Sequence, residues 1–430
     1  MAKLEYDKNG RLLFTKEMRE EYTIFIPMML PVHMTLLERV LNQAGYHCKL
    51  LTSTHSGIVN EGLQNVHNDT CYPALLVIGQ MLDAIKNGGY DPHKVALMIT
   101  QTGGGCRASN YIHLLRKALK NNGMDYIPVI SFNLTGMEHN PGFRLNFSLA
   151  TSMITAVIYA DLLMNLGNQL RPYEKNEGET DALIMAWNDK LLQTSMSIFH
   201  MKKTMAAICE DFNQIETVQR DKTLVGIVGE IYIKYSPLGN NNLEEFLRRE
   251  GCEVVIPGLL DFIIFMSDHH IVDSRNFGIK YGKGMLSYLM KRFFIHVQKQ
   301  MIRAVKRYPR FRPPAYFEDT KKLAGEYLNE GNKMGEGWLL TGEMLELIHS
   351  GVKNIVCAQP FGCLPNHIVG KGMIRAIRER NPQANIVAID YDPGATKINQ
   401  ENRIKLMLSI AREKQKSAAE KTAKKMPVKA

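Results

Sequence analysis

The sequence predicts an α/β protein with two mostly parallel sheets, each covered by helices on both faces. Three observations carry this. Short apolar runs rich in Val and Ile alternate with helical stretches toward both ends of the chain. The connections between them are short. A long block of helical periodicity separates the two alternating series. Parallel strands need crossover connections, and helices that supply them bury the sheet on both sides. The strands then read as unbroken apolar runs.

In the first series, residues 22–29 (YTIFIPMM) and 48–52 (CKLLT) read as strands around a helical 35–44. Residues 73–87 read as a helix and 95–100 (VALMIT) as a buried strand. Residues 110–121 form a helix stopped by Gly123, and 127–132 (IPVISF) is the next strand. From 146 to 218 the period becomes helical, with 152–166 and 181–211 as long helices. Alternation then returns: strand 224–232, helix 242–250, strand 252–256, a helical insertion over 284–308, strand 354–358, helix 366–380, strand 385–390 and a closing helix 399–415. The expected organisation is a Rossmann-like α/β domain over 1–145, a helical segment over 146–218, a second Rossmann-like domain over 219–412, and a basic flexible tail over 413–430.

The 430 residues, 45% hydrophobic and 22% charged, describe an ordinary globular chain of two or three domains. The start MAKLEYDKNG is not followed by a signal-peptide pattern. The longest apolar region, 153–166, is broken by Asp161 and is too short to span a bilayer. A cytoplasmic location is the expectation, with no membrane contact. The net charge of +10 is unevenly placed: residues 411–430 hold seven Lys/Arg and two Glu, half of the excess. No basic motif interleaved with aromatics occurs elsewhere, so no nucleic-acid partner is expected. Seven cysteines, an odd number without secretory signals, argue against a disulfide framework and leave metal binding or buried thiols open.

Two cysteines share one frame, Thr70-Cys71-Tyr72-Pro73 and Gly362-Cys363-Leu364-Pro365, and Cys106 ends the run Gly103-Gly104-Gly105. Proline favours the first helical turn, so each Cys-x-Pro thiol should stand just before a helix. Free N–H groups and the helix dipole there favour a thiolate, the form that binds soft metals and iron–sulfur clusters. Cys106 follows the strand 95–100 and Cys363 the strand 354–358. Ligands of open α/β sheets gather beyond the carboxyl ends of strands, where one cysteine from each unit could meet and Cys71 join from its helix start. Three thiolates there would suit a [4Fe–4S] cluster with one iron lacking a protein thiolate. Gly104 and Gly105 would let backbone N–H groups approach the cofactor, and Arg107 could offset its charge. The rival reading is that these are small buried hydrophobes, since no compact Cys-x-x-Cys occurs. Cys48, Cys209 and Cys252 lie in apolar periodic segments and read as core. Cys357, inside a strand, reads as core with a ligand role as the rival.

Gly103-Gly104-Gly105-Cys106-Arg107-Ala108 formally fits G-x-G-x-x-A, but it is not in the first βα turn and no acidic residue ends the next strand. Asp390-Tyr391-Asp392-Pro393-Gly394 reads as a capped turn rather than a metal site. No G-x-x-x-x-G-K-[ST] loop is present, so nothing in the sequence points to nucleotide hydrolysis.

Four blocks, DTCYPALLVIGQMLDAI, ITQTGGGCRASNYIHLLRKAL, VGIVGEIYIKYSPLGNNNLEEFLRREGCEVVIP and NIVCAQPFGCLPNHIVGKGMIRAIRERNPQANIVAIDYDPGATKINQENRIKLML, cover the cysteine frames in order. Over residues 22–408 the chain resembles the superfamily of 2-hydroxyacyl-CoA dehydratases and double-cubane cluster proteins. Within it, the chain is most similar to the C-terminal region of the large fused acyl-CoA dehydratase activase-related proteins. The resemblance implies Rossmann-like domains and a [4Fe–4S] cluster on Cys71, Cys106 and Cys363, alone or as half of a double-cubane [8Fe–9S] cluster. It also implies an ATP-hydrolysing iron–sulfur activator that delivers low-potential electrons, and a related cluster-bearing subunit or a second copy as partner. The expected function is therefore an iron–sulfur reductase component. A 2-hydroxyacyl-CoA dehydratase subunit is the alternative within the superfamily, and a non-catalytic structural or binding subunit the alternative outside it.

Overall fold

Short buried runs become strands here because helices cover them from both sides. The computed structural model describes residues 2–425 apart from 68, 102–104, 134–137, 194–195, 197 and 279–280, with side chains undescribed at 281, 283 and 418–425. The first series opens with α1 (Lys16–Glu21), β1 (Thr23–Pro27), α2 (Pro31–Gln43), β2 (Cys48–Leu51), α3 (Gly57–Asn65) and α4 (Tyr72–Asn87). It continues through β3 (Val95–Thr100), α5 (Tyr111–Asn121) and β4 (Val129–Phe132). All strands are parallel, in the order β2-β1-β3-β4. Every β3 residue except the terminal Thr100 is buried, as a strand sandwiched between helices requires.

The helical segment contains α6 (Phe147–Leu170), α7 (Glu179–Gln193) and α8 (Met201–Asn213). The single helix expected over 181–211 is thus two. Helix α6 is long and apolar enough to cross a membrane, but 67% of its apolar window is buried inside the protein. Asp161 in its middle explains how. Its carboxylate accepts from His33 Nε2 at 2.7 Å and from the backbone N–H groups of Leu259 and Leu260 at 2.8 and 2.7 Å. This one buried acid ties α2 of the first unit to the start of a helix of the second.

The second series runs β5 (Thr223–Gly229), α9 (Ile231–Tyr235), α10 (Leu243–Arg249), β6 (Cys252–Val255), α11 (Leu259–Phe277) and α12 (Tyr281–Val305). After these come α13 (Phe317–Gly325), α14 (Trp338–His349), β7 (Asn354–Pro360), α15 (Ile374–Arg380), β8 (Asn385–Tyr391) and α16 (Lys397–Lys425). Its strand order, β6-β5-β7-β8, repeats the topology of the first sheet, again all parallel. The fold therefore is the two-sheet α/β architecture that the alternation predicts, with a structural repeat that the sequence does not display. Helix α16 continues past residue 415 to Lys425, through part of the segment expected to be flexible, on a run of strong helix formers (Ala, Lys, Glu). Both units share one buried cluster, in which Leu97 and Val129 of the first sheet join Val225, Ile227 and Val356 of the second.

In each sheet the strand order reverses between the first and third strands, the crevice where open α/β folds bind ligands. For the first sheet that crevice lies between β1 and β3, and for the second between β5 and β7. The loops leaving β3, β5 and β7 supply Cys106, Glu230 and Cys363, whereas Cys71 comes from the loop between α3 and α4.

Candidate metal centre

All three cysteines singled out from the sequence stand directly before helical turns. Cys71 is the N-cap of α4, in extended backbone at φ −63° and ψ 146°, with proline in the first turn. Cys106 caps the 3-10 turn Arg107–Asn110 that leads into α5, at φ −75° and ψ 147°. Cys363 precedes the helical residues Leu364 and Pro365, which run into a single π-helical turn, Asn366–Gly370. The continuous helix expected over 366–380 is therefore interrupted and becomes α-helical only at Ile374.

The two units touch at these caps. Tyr72 N–H donates to the carbonyl of Phe361 at 3.1 Å, joining the first residue of α4 to the loop after β7. Gly362 has φ +78°, and a side-chain carbon built on it would stand 3.1 Å from Cys71 Cα. The Cys363 loop thus lies on the backbone of Cys71. Cys106 approaches them through its neighbour Arg107, which donates to the carbonyl of Asp69, two residues before Cys71. On the other side runs the loop before α14. A side-chain carbon on Gly105 would meet Met334 Sδ at 2.7 Å, and one on Gly335 would meet Pro365 at 3.1 Å.

Burial dominates the electrostatics. It raises the Cys71 thiol, lifts Cys106 to about 11, and drives Cys363 far above the usual range, with Glu336 and Glu230 adding to the last. The free N–H groups of the helix starts do favour the thiolates, as expected, while desolvation opposes them more strongly. Metal coordination reverses that balance by deprotonating the thiol outright. One hydrogen bond already favours the thiolate: Tyr111 Oη lies 2.7 Å from Cys71 Sγ. Burial first, then the neighbouring Cys71, keeps the Tyr111 phenol protonated and able to donate.

Two acids that the sequence reading did not single out complete the surroundings. Glu230 follows Gly229 at the end of β5 and caps α9 by accepting from Ile233 N–H at 2.9 Å. Glu336 is buried and accepts from Ile231 N–H at 2.9 Å, so both carboxyls serve the same short helix. Burial, then the charge of Glu336, pushes Glu230 up to about 8, and burial also raises Glu336. Behind them Lys234 forms a buried ion pair with Glu343 at 2.9 Å. Glycine before an acid at a strand end, Gly229-Glu230, was the available signal. Glu336 comes from a loop whose placement beside the cysteines no local pattern encodes.

The remaining expected residues separate cleanly. Arg107 is exposed, donates to the carbonyl of Asp69, and its charge favours the Cys71 thiolate. Gly104 lies outside the described residues, whereas Gly105 is exposed beside Met334. Cys357 is fully buried within β7, its Sγ 3.9 Å from Asn366 Oδ1, among the core residues Val228, Met344 and Ile355. Cys48, Cys209 and Cys252 are buried in the core. Asp392 accepts from Gly394 N–H at 2.7 Å, the capped turn expected there. Among the described residues, no three His, Cys, Asp or Glu side chains gather closely enough to hold one metal ion. A cluster is a wider object that spreads its thiolates over several irons.

The class that the fold defines is thus a two-sheet α/β protein, in which the Cys71 cap of the first unit touches the Cys363 loop of the second. No family model matches the chain, and no curated protein matches it either.

Proposed function

We propose that this chain is the cluster-bearing component of a low-potential reductase, with Cys71, Cys106 and Cys363 holding a [4Fe–4S] cluster. The observation that carries this reading is the contact between two cysteine-bearing caps of separate units, the Cys363 loop lying on the backbone of Cys71, with Cys106 at a third cap. Free thiols on such caps would suit a group that takes one thiolate per iron. When bound, such a cluster supplies one-electron reduction, with one iron free of protein thiolate.

The chain's own residues would set the conditions for that chemistry. Tyr111 Oη, 2.7 Å from the Cys71 sulfur, would donate to a thiolate there and stabilise added negative charge. Arg107 contributes a positive charge on the same side. Burial disfavours the charged forms of Glu230 and Glu336, which would lessen their repulsion of an anionic group nearby. Met334, Phe361, Leu364 and Ile368 are each more than half exposed around the cysteine loops, an apolar rim on which an electron-donating ATPase could seat. The resemblance of residues 22–408 to the dehydratase and double-cubane superfamily supports an ATP-hydrolysing activator as the electron donor of this reading.

The test is anaerobic reconstitution followed by iron and acid-labile sulfide analysis. About four irons per chain are expected, falling when Cys71, Cys106 or Cys363 is changed to Ser. A well-folded chain that takes up no iron would instead support a structural subunit. With cluster and activator present, turnover of 2-hydroxyacyl-CoA thioesters would assign the dehydratase alternative.

A further inference from the structure

The turn from β1 into α2 borders a cavity of about 210 Å³, many times the space that one water needs. Residues 30–33, the first turn of α2, line one side, and the segment after α9 with part of α10 lines the other. Ser236 Oγ donates to the Met28 carbonyl at 3.4 Å and ties the two sides together. The carboxyl end of a strand beside a crevice is where open α/β sheets receive ligands.

Donors line this cavity without acceptors. Helix α2 is 13 residues long, and its N-cap, Leu30, makes no side-chain hydrogen bond. Pro31 has no N–H, and among the described residues no acceptor meets the N–H groups of Val32 and His33. Asn168 of α6 gives its Oδ1 to Arg171 at 2.6 Å, while its Nδ2 has no acceptor among the described residues. His33 is the second, independent sign. It lines the cavity with its side chain 0% exposed, and its Nε2 lies 2.7 Å from Asp161. Asp161 also accepts from two backbone N–H groups, so the carboxylate holds the ring proton on Nε2. The other ring nitrogen, Nδ1, is buried and has no partner. Buried polar atoms are rarely left so.

Charge sets the class of ligand. Each cation on the walls already has a carboxylate: Arg171 has Asp181 at 2.6 Å and Glu244 at 3.6 Å, Arg248 has Glu245, and Lys234 has Glu343 at 2.9 Å. What remains unanswered is the positive end of α2 with the donors of His33 and Asn168, which suits a single negative charge. A carboxylate brings that charge on two acceptor oxygens. A phosphate dianion brings a second charge that nothing on the walls answers.

We propose that the start of α2 binds the carboxylate of a small organic acid. The N–H groups of Val32 and His33, the Asn168 amide and a protonated His33 Nδ1 serve as its donors. The site shares no residue with the three cysteine loops and stands whether or not a cluster is bound there.

The experiment follows thermal unfolding of the full chain with formate, acetate, lactate or succinate, and with inorganic phosphate, at constant ionic strength. At least one of these acids should raise the melting temperature saturably, and phosphate should not. His33→Gln keeps a donor toward Asp161 and removes Nδ1. Asn168→Asp keeps the acceptor for Arg171 and puts a negative charge where the amide stood. Each should weaken the acid at least tenfold in isothermal titration calorimetry, with circular dichroism unchanged. Should His33→Gln fold poorly, Asn168→Asp alone decides. No saturable binding of any of the four acids overturns the proposal, as does binding that survives Asn168→Asp. Phosphate bound more tightly than every acid would overturn it in favour of a phosphate site.

Discussion

Gly362 lies against Cys71, with the place for its missing side chain only 3.1 Å from Cys71 Cα and 3.4 Å from Cys71 N. Its backbone is left-handed, at φ +78°, a conformation that non-glycine residues adopt at a penalty of about 1–2 kcal/mol. Both constraints act at one point, the seam between the Cys363 loop and the α4 cap. Gly362→Ala should therefore lower unfolding stability by roughly 1–3 kcal/mol, combining the φ penalty with the close approach. It should also reduce iron uptake in reconstitution, because the Cys363 loop must lift from Cys71. Urea unfolding and iron counts on the same preparation check both parts.

Among the described residues Tyr111 makes the one side-chain hydrogen bond to a thiol of Cys71, Cys106 or Cys363, and Tyr111→Phe removes it. A donor to sulfur stabilises the more negative, reduced cluster, so its loss lowers the reduction potential. A hydrogen bond worth about 1 kcal/mol corresponds to about 40 mV for a one-electron couple. A redox titration followed by electron paramagnetic resonance should show a downward shift of that order, with iron content unchanged. An unchanged potential would leave Tyr111 a packing residue.

Glu230 gives the cluster-free chain a definite pH signature. Burial, then the charge of Glu336, raises its carboxyl from 4.5 to about 8, so the folded state binds this proton more tightly than the unfolded state. Its contribution to stability is complete below the ordinary glutamate range and is lost as pH rises toward 8. Urea unfolding at pH 5 and at pH 8 should show the chain weaker at the higher pH. Glu230→Gln keeps an oxygen to accept from Ile233 N–H and cannot ionise, so it should flatten that slope. A slope unchanged in the variant would assign the effect to other groups.

What the sequence made legible follows from locality. β3 and β7 are buried runs with no competing signal, and Cys-x-Pro marks a cap through two residues of covalent geometry. Helix α11 was not read, because its Asp261, Asp268 and Asp273 interrupt the apolar pattern. Inside the fold those acids are absorbed: Asp261 by Gln298, Asp268 by Lys291 and Lys321, and Asp273 by Lys333. Glu230 and Glu336 lie 106 positions apart and meet only because both serve the start of α9. The repeated strand order was equally hidden, since topology can persist where the apolar runs share no sequence.

Cys357 and Cys363 provide the sharpest separation of core from cofactor. They stand six positions apart, yet Cys357 is sealed within β7 while Cys363 opens the turn beside Cys71. Cys357→Ser places a hydroxyl among Val228, Met344 and Ile355, with Asn366 Oδ1 3.9 Å from the present sulfur. An imperfectly paired buried hydroxyl should cost about 1–3 kcal/mol, with iron per chain unaltered. Cys363→Ser should do the reverse, losing iron while the cluster-free chain keeps its stability, because the residue lies at a loop rather than in a strand. Iron analysis and urea unfolding of the two variants side by side decide it. Iron lost at Cys357 and retained at Cys363 would move the ligand into the strand and overturn the assignment of the three caps.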